Sequence, residues 1–188
     1  MDIKNKLLAG LGHPNSLTMF RIAAVPLLIL LMLSSSKWSG VFAALVFSAA
    51  AVTDYFDGYV ARRFGLVSGL GKIMDPLADK LLVSSAFIML IPHGRVPAWI
   101  VCVIIGRELA VTGLRNVISE KGEDVSASML GKWKTGFQIA AIIPLLLHYE
   151  YLGIDFHAIG TVLLWAALAV TVWSGADYFI RFRKFLTY

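Results

Sequence analysis

Asp54 to Lys80, DYFDGYVARRFGLVSGLGKIMDPLADK, sets four carboxylates between two apolar runs. Before it, Val41 to Val52 reads VFAALVFSAAAV; after it, Leu81 to Ile91 reads LLVSSAFIMLI. Asp54 and Asp57 are spaced i,i+3 and Asp75 and Asp79 i,i+4, so each pair shares a face if its segment is helical. Two acid pairs on neighbouring helices are the arrangement that builds a metal cluster in a helical bundle. Carboxylates are hard oxygen ligands suited to Mg2+ or Mn2+, and the window holds no His or Cys to suggest zinc. Gly58 and Ala61 are small enough to let another group approach the backbone. Arg62 and Arg63 offer fixed donors and permanent charge to a phosphate. Gly65, Gly69 and Gly71 are expected to loosen the turn between the two helices. Paired acids, small residues and arginine together point to phosphoryl chemistry. In a soluble protein such acids would form an ordinary solvated face. Continuing directly from apolar helices, they incur the cost of charge near hydrocarbon, which leaves structural ion pairs as the alternative to a functional site.

The composition extends this reading to the whole chain. It is 58% hydrophobic and 15% charged, against about 25% charged in a soluble domain, and its mean hydropathy is +0.75. That describes an all-α polytopic membrane protein, and 188 residues hold one compact bundle. The single cysteine, Cys102, lies in an apolar segment; it excludes a disulfide framework and reads as a small buried hydrophobe. At the N-terminus, MDIKNKLLAGLGHPNS has too weak an apolar region for a cleavable signal peptide. Ile3, Leu7, Leu8 and Leu11 instead follow helical spacing beside Lys4 and Lys6, so an amphipathic helix over 1–13 is expected on the membrane surface. Residues 14–188 then form the membrane-embedded domain.

Six apolar segments follow: about Leu17 to Leu33, Trp38 to Val60, Ile73 to Ile91, Val96 toward Arg115, Leu130 to Leu147, and Phe156 to Ile180. Their lengths suit membrane spans of roughly 20 residues. Pro14 and Asn15 break the chain before the first, and the polar stretch SEKGEDVSAS, Ser119 to Ser128, reads as an exposed loop. Of the 17 Lys and Arg, all but Lys37 and Arg95 fall on one side of this threading. The positive-inside bias places that side in the cytoplasm, with both termini. The expected location is the cell inner membrane, multi-pass. Arg21, Asp54, Asp57, Asp75, Asp79, Arg107, Glu108, Arg115, Lys132, Lys134 and Asp177 all map to the same face. A site there would be polar, open to the cytoplasm and open to lipid between helices, which serves an enzyme joining a lipid to a water-soluble substrate.

The pattern Asp54-x2-Asp57-Gly58-x2-Ala61-Arg62-x8-Gly71-x3-Asp75-x3-Asp79 resembles, without a departure, the signature of the CDP-alcohol phosphatidyltransferases. Three further stretches resemble its bacterial branch that makes phosphatidylglycerophosphate: PNSLTMFR from Pro14 to Arg21, Gly106-Arg107-Glu108 with Thr112-Gly113-Leu114-Arg115, and Gly131-Lys132-Trp133-Lys134-Thr135 with Gln138. The resemblance implies six membrane helices, a homodimer and a cytoplasmic site holding two divalent ions, Mg2+ or Mn2+. It makes Asp54, Asp57 and Asp75 metal ligands and Asp79 both a metal-holding residue and the proposed base. Gly58, Ala61, Arg62 and Gly71 would line the CDP part of CDP-diacylglycerol, with Asn15 and Thr18 near its phosphates. An acceptor that carries its own phosphate needs a basic pocket, for which Arg107, Arg115, Lys132 and Lys134 are the candidates.

The implied reaction joins CDP-diacylglycerol to sn-glycerol 3-phosphate within membrane lipid; no nucleic-acid partner is expected. The acid motif alone also accommodates serine, inositol phosphate or phosphatidylglycerol as acceptor, because it handles the shared CDP half. A divalent-cation transporter would also place acids in helices, but at mid-membrane and with polar residues leading to both faces. Single residues have plainer readings too. Arg107 or Arg115 can pair with Glu108, Lys132 and Lys134 can anchor a helix end, and Arg21 can snorkel to the interface. Asp177 suits a tail arginine as helix-end partner, while His93, His148 and His157 lie on the far face. The Trp and Tyr residues read as interface anchors.

Overall fold

The computed structural model describes residues 14–64, 69–120 and 129–183, with side chains except at 14–17, 54–64, 69–73 and Leu130. The expected surface helix over 1–13 and residues 121–128 of the polar loop lie outside the described residues. Among those described, six helices alternate with short links: α1 (Pro14–Met32), α2 (Lys37–Phe64), α3 (Gly69–Leu90), α4 (Ala98–Glu120), α5 (Met129–Leu147) and α6 (Phe156–Arg181). A hairpin of β1 (Glu150–Tyr151) and β2 (Ile154–Asp155) joins the last two helices. The described residues are all-α apart from that hairpin. Contacts divide it into two units, residues 1–89 and 90–188.

In the first unit α1 packs on α2. Ala24, Leu28 and Met32 recur every four residues on α1, and Ala43, Ala44, Phe47 and Ala50 are buried on α2. Alanines in such a seam let two helices approach closely without a large side chain between them. Pro14 opens α1 at the position where its missing N–H costs nothing. At the other end the Ser39 hydroxyl donates to the Leu31 carbonyl, one of the orphan acceptors of the last turn of α1. Several boundaries differ from expectation: α1 takes in Pro14 and Asn15, expected as a break, and α4 runs on through Ser119 and Glu120, expected in the polar loop. Helix α2 continues to Phe64, so Arg62 and Arg63 are helical; α3 starts at Gly69, so only Gly65 of the three glycines lies between the helices. The apolar run on each side nucleates helix strongly enough to draw in its polar neighbours.

The second unit begins at the turn after α3. Gly94 N–H donates to the Ile91 carbonyl at 2.9 Å and Arg95 N–H to the Leu90 carbonyl at 3.2 Å, the paired bonds of a Schellman ending. Gly94 sits at φ +67°, a conformation any Cβ would oppose. On α4, Ile100, Ile104, Val111, Leu114 and Ile118 are buried at helical spacing. Helices α5 and α6 approach closely where Gly160 meets Leu145: a Cβ on Gly160 would lie 2.7 Å from Leu145 Cγ and 3.0 Å from its backbone nitrogen. The hairpin between them pairs Glu150 with Asp155 and Tyr151 with Ile154. Its turn residues Leu152 and Gly153 have φ of 54° and 77°, the signature of a tight I′ turn. The Asp155 side chain then accepts from Ala158 N–H at 3.0 Å and caps α6.

Large apolar side chains face outward on several helices, among them Leu30, Leu45, Leu109, Val162, Trp173 and Ile180. So much exposed apolar surface marks a protein that meets something other than water. Helix α6 is the described helix long and apolar enough to cross a membrane, with 22% of its apolar window buried; Thr18–Met32 and Lys37–Thr53 are shorter apolar stretches. Cys102 is exposed, which corrects its reading as a buried hydrophobe. An apolar helix in a belt of this kind has an outward face as apolar as its inward one, so burial does not follow from hydropathy.

Candidate active site

The acids enter from α2 and α3. Asp54 and Asp57 lie on helical backbone in α2, and Gly58, Ala61 and Arg62 follow on the same helix; their side chains lie outside those described. Gly71 is in the first turns of α3, and Asp75 and Asp79 stand one turn apart further along it. Asn15 lies in the first turn of α1, its side chain likewise outside those described.

Asp75 is held from α1. The Thr18 hydroxyl donates to Asp75 Oδ1. Arg21 Nη2 reaches the same oxygen at 3.1 Å, and Nη1 approaches the Asp75 carbonyl at 3.4 Å. The Arg21 side chain is 3% exposed, whereas that of Asp75 is 47% exposed. Among the described residues, both partners therefore grip Oδ1 from the buried side and none takes Oδ2. An oriented, half-exposed carboxylate with one oxygen open fits a hard divalent cation, and Asp79 adds a second carboxylate on the same helix face. Snorkelling thus gives way to burial for Arg21: its charge is satisfied by Asp75, not by the interface. The sequence signal for this was its place three residues after Thr18, on one face of α1.

The cations of the second unit form a separate group. Lys134 on α5 is buried and its Nζ pairs with Glu108 Oε1. Arg107 Nη1 approaches the same carboxylate oxygen at 3.3 Å, while Nη2 donates to Ser174 Oγ on α6 at 3.0 Å. Ser174 donates in turn to the Thr171 carbonyl at 3.1 Å, and Gln138 Nε2 donates to Thr171 Oγ1 at 3.3 Å. Arg115 and Lys132 are exposed on α4 and α5. The structure thus joins Arg107 and Lys134 through Glu108, and it adds Ser174, Thr171 and Gln138, for which no function was read from the sequence. Asp177 accepts from Arg181 Nη2 at 3.1 Å, one turn away on α6, as expected of a helix-end partner.

At the opposite end of this unit lies a second polar group. Arg95 is buried and donates Nη1 to the carbonyls of Leu145 at 3.2 Å and Leu146 at 2.7 Å. Its guanidinium also lies 5.9 Å from the centre of the Tyr149 ring. Burial lowers its pKa, with Tyr149 and Tyr151 opposing. His148 Nδ1 stands 3.2 Å from His157 Nδ1. Burial lowers the His148 pKa most, followed by the charges of Arg95 and His157, against a raising effect of Asp155.

Comparison with known proteins gives the family. The model of the CDP-alcohol phosphatidyltransferase family matches residues 11–173. A Bacillus subtilis (strain 168) protein named CDP-diacylglycerol–glycerol-3-phosphate 3-phosphatidyltransferase is 45% identical, over 89% of this chain and 93% of its own. A Rickettsia bellii protein of the same name is 39% identical, over 92% of this chain and 96% of its own. A chloroplastic/mitochondrial relative from Arabidopsis thaliana, named as form 1 of that enzyme, is 37% identical over 92% of this chain and 63% of its own. The acid pattern, the helical frame and these matches agree: the chain belongs to the CDP-alcohol phosphatidyltransferase family.

Proposed function

We propose that the protein transfers the phosphatidyl group of CDP-diacylglycerol to sn-glycerol 3-phosphate, giving phosphatidylglycerophosphate and CMP. Relatives named for this reaction match nearly the whole chain. The structural observation that supports the acceptor is that Arg107 and Lys134, from α4 and α5, meet at one carboxylate, Glu108, which brings two candidate phosphate donors together.

The family is membrane-associated and depends on divalent metal. We assign two ions, Mg2+ or Mn2+, to Asp54, Asp57, Asp75 and Asp79. A divalent ion bound there supplies charge neutralisation for the diphosphate and stabilises CMP as leaving group. Asp79 takes the proton of the glycerol 1-hydroxyl as that oxygen bonds to the β-phosphorus and the bond from phosphorus to the CMP oxygen breaks. A carboxylate is a weak base toward an alcohol, so its help depends on geometry. Asn15, Gly58, Ala61, Arg62 and Gly71 hold the CDP half, Arg62 as phosphate clamp; Thr18, whose one hydroxyl proton goes to Asp75, serves it through that carboxylate. Arg107, Arg115, Lys132 and Lys134 hold the acceptor phosphate through charge-assisted bonds. Most of the rate comes from positioning and electrostatics, as in other phosphoryl transfers.

The same reading takes the six helices as membrane spans in the cell inner membrane, with termini and site toward the cytoplasm, and the working unit as a homodimer. The outward apolar side chains and the one-sided Lys and Arg distribution support the membrane frame. The test supplies purified enzyme with CDP-diacylglycerol and, separately, glycerol 3-phosphate, inositol 1-phosphate, serine and phosphatidylglycerol, with lipid products identified by mass. Phosphatidylglycerophosphate is the expected dominant product. Any other dominant product replaces the acceptor and leaves the transferase standing.

A further inference from the structure

Six polar side chains of the second unit join through one another in an otherwise apolar setting. Lys134 meets Glu108, which meets Arg107, which meets Ser174; Ser174 bonds to the Thr171 backbone, and the Thr171 hydroxyl accepts from Gln138. Gln138 stands one turn after Lys134 on α5, so the chain of contacts returns to its starting helix. Lys134, Gln138, Thr171 and Ser174 are all buried. Arg107 is the member most closely fixed. One arm of its guanidinium is on Glu108 and the other on Ser174, and its aliphatic stem lies against Gly175. A Cβ on Gly175 would stand 3.0 Å from Arg107 Cγ and 3.6 Å from Nε. Arg107 Nε is itself buried and has no hydrogen-bond partner among the described residues.

A network that only tied helices together would do better with apolar packing, since buried ions are weak sources of stability. This one fixes the direction of two cations. Ser174 directs its own hydrogen to the Thr171 carbonyl, which leaves its oxygen facing Arg107 as an acceptor. Glu108 takes one donor from each cation. We infer that Ser174 and Gly175 of α6, acting with Glu108, are positioning residues that set Arg107 and Lys134 for the acceptor's phosphate. This rests on the proposed function and adds α6 to it, a helix outside the motifs that named the candidate residues. Preorganised donors lower the ordering cost of binding.

The experiment measures steady-state kinetics in detergent with each substrate varied in turn, alongside thermal unfolding. Ser174→Ala removes one oxygen from Arg107 and should raise KM for glycerol 3-phosphate about tenfold, the worth of a hydrogen bond to a charged group, with KM for CDP-diacylglycerol within about twofold. Ser174→Thr keeps the hydroxyl and should restore most of the loss. Gly175→Ala should act in the same direction by displacing the Arg107 stem, and it carries the test if Ser174→Ala is not recovered folded. Thr171→Val, which breaks only the contact with Gln138, should lower the unfolding temperature and leave both KM values unchanged. Arg107→Gln separates the two levels of the argument. If it leaves KM for glycerol 3-phosphate unchanged, the acceptor role of Arg107 falls and this inference with it. If it raises that KM while Ser174→Ala and Gly175→Ala do not, the network is scaffolding and only the inference falls.

Discussion

Arg21 Nη2 stands 3.1 Å from Asp75 Oδ1, with the arginine buried and the carboxylate half exposed. The guanidinium orients a carboxylate whose other oxygen has no partner among the described residues, which is the usual relation of a supporting residue to a metal ligand. Arg21→Met should therefore weaken Mn2+ binding by roughly 10- to 100-fold. Thr18→Val should weaken it less, because a hydroxyl supplies a neutral bond. Mn2+ titration followed by electron paramagnetic resonance reads this without turnover. Unchanged Mn2+ affinity in Arg21→Met would show that the pair only joins α1 to α3.

Chelation tests the ion requirement itself. CMP release should stop with EDTA and return with Mg2+ or Mn2+. Full activity in exhaustively chelated enzyme would remove the metal from the reaction.

The roles of the acids should separate by variant. Asp57→Asn should lose metal binding and activity together. Asp79→Asn should lose turnover by at least ~100-fold with CDP-diacylglycerol binding much less affected, since proton removal is a transition-state task. Near-normal turnover in Asp79→Asn would rule out this residue as the base.

Arg95 is an exception to the one-sided charge distribution, and its hydrogen bonds account for it. Its guanidinium satisfies the carbonyls of Leu145 and Leu146 at the C-terminal end of α5, where the helix dipole favours a cation. Arg95→Met should destabilise the protein by about 2 kcal/mol through the lost charged bonds. Turnover per folded molecule should be unaffected. The check is thermal unfolding in detergent together with specific activity; an unchanged unfolding temperature would make the cap energetically silent.

His148 gives a pH dependence with a definite sign. Its folded pKa lies below the ordinary value of 6.5, so the unfolded chain binds the proton more readily. Its contribution is favourable above 6.5 and is lost as pH falls from there through the lowered folded value. Arg95, His157 and His93 oppose the extra charge and Asp155 favours it. Thermal stability should fall on that acid side, and His148→Asn should flatten the fall. Asn suits the test because position 148 has φ of 61°, which Asn tolerates better than most residues. An identical pH profile in the variant would assign the fall to other groups.

Periodicity and spacing made the helices legible within a few residues. The last runs Phe156–Arg181 against an expected end near Ile180, since an apolar run bounded by polar links leaves little choice of boundary. The acid spacing was legible for the same reason: it is a property of one segment at a time. Cross-chain partners were not. Nothing near Arg21 names Asp75, 54 residues away, and nothing near Arg107 names Ser174, 67 residues away. Lys134 read as a surface anchor or phosphate contact and is buried on Glu108, because burial is decided by what packs alongside. The hairpin at 150–155 escaped notice because two-residue strands are too short to show a period of two.

The contact between Arg95 and α5 also fixes an order of events during synthesis. Arg95 precedes Leu145 by 50 residues, an interval of roughly 3–10 s at ribosomal speed. The Schellman bonds at Gly94 and Arg95 are local and can close as soon as that turn emerges. The guanidinium has no α5 carbonyls to meet until much later, so it must wait hydrated at the tip of the α3–α4 turn. Docking of the nascent α5 onto that waiting charge then becomes a late step, and its timing is written into the separation of two hydrogen-bonded residues along the chain.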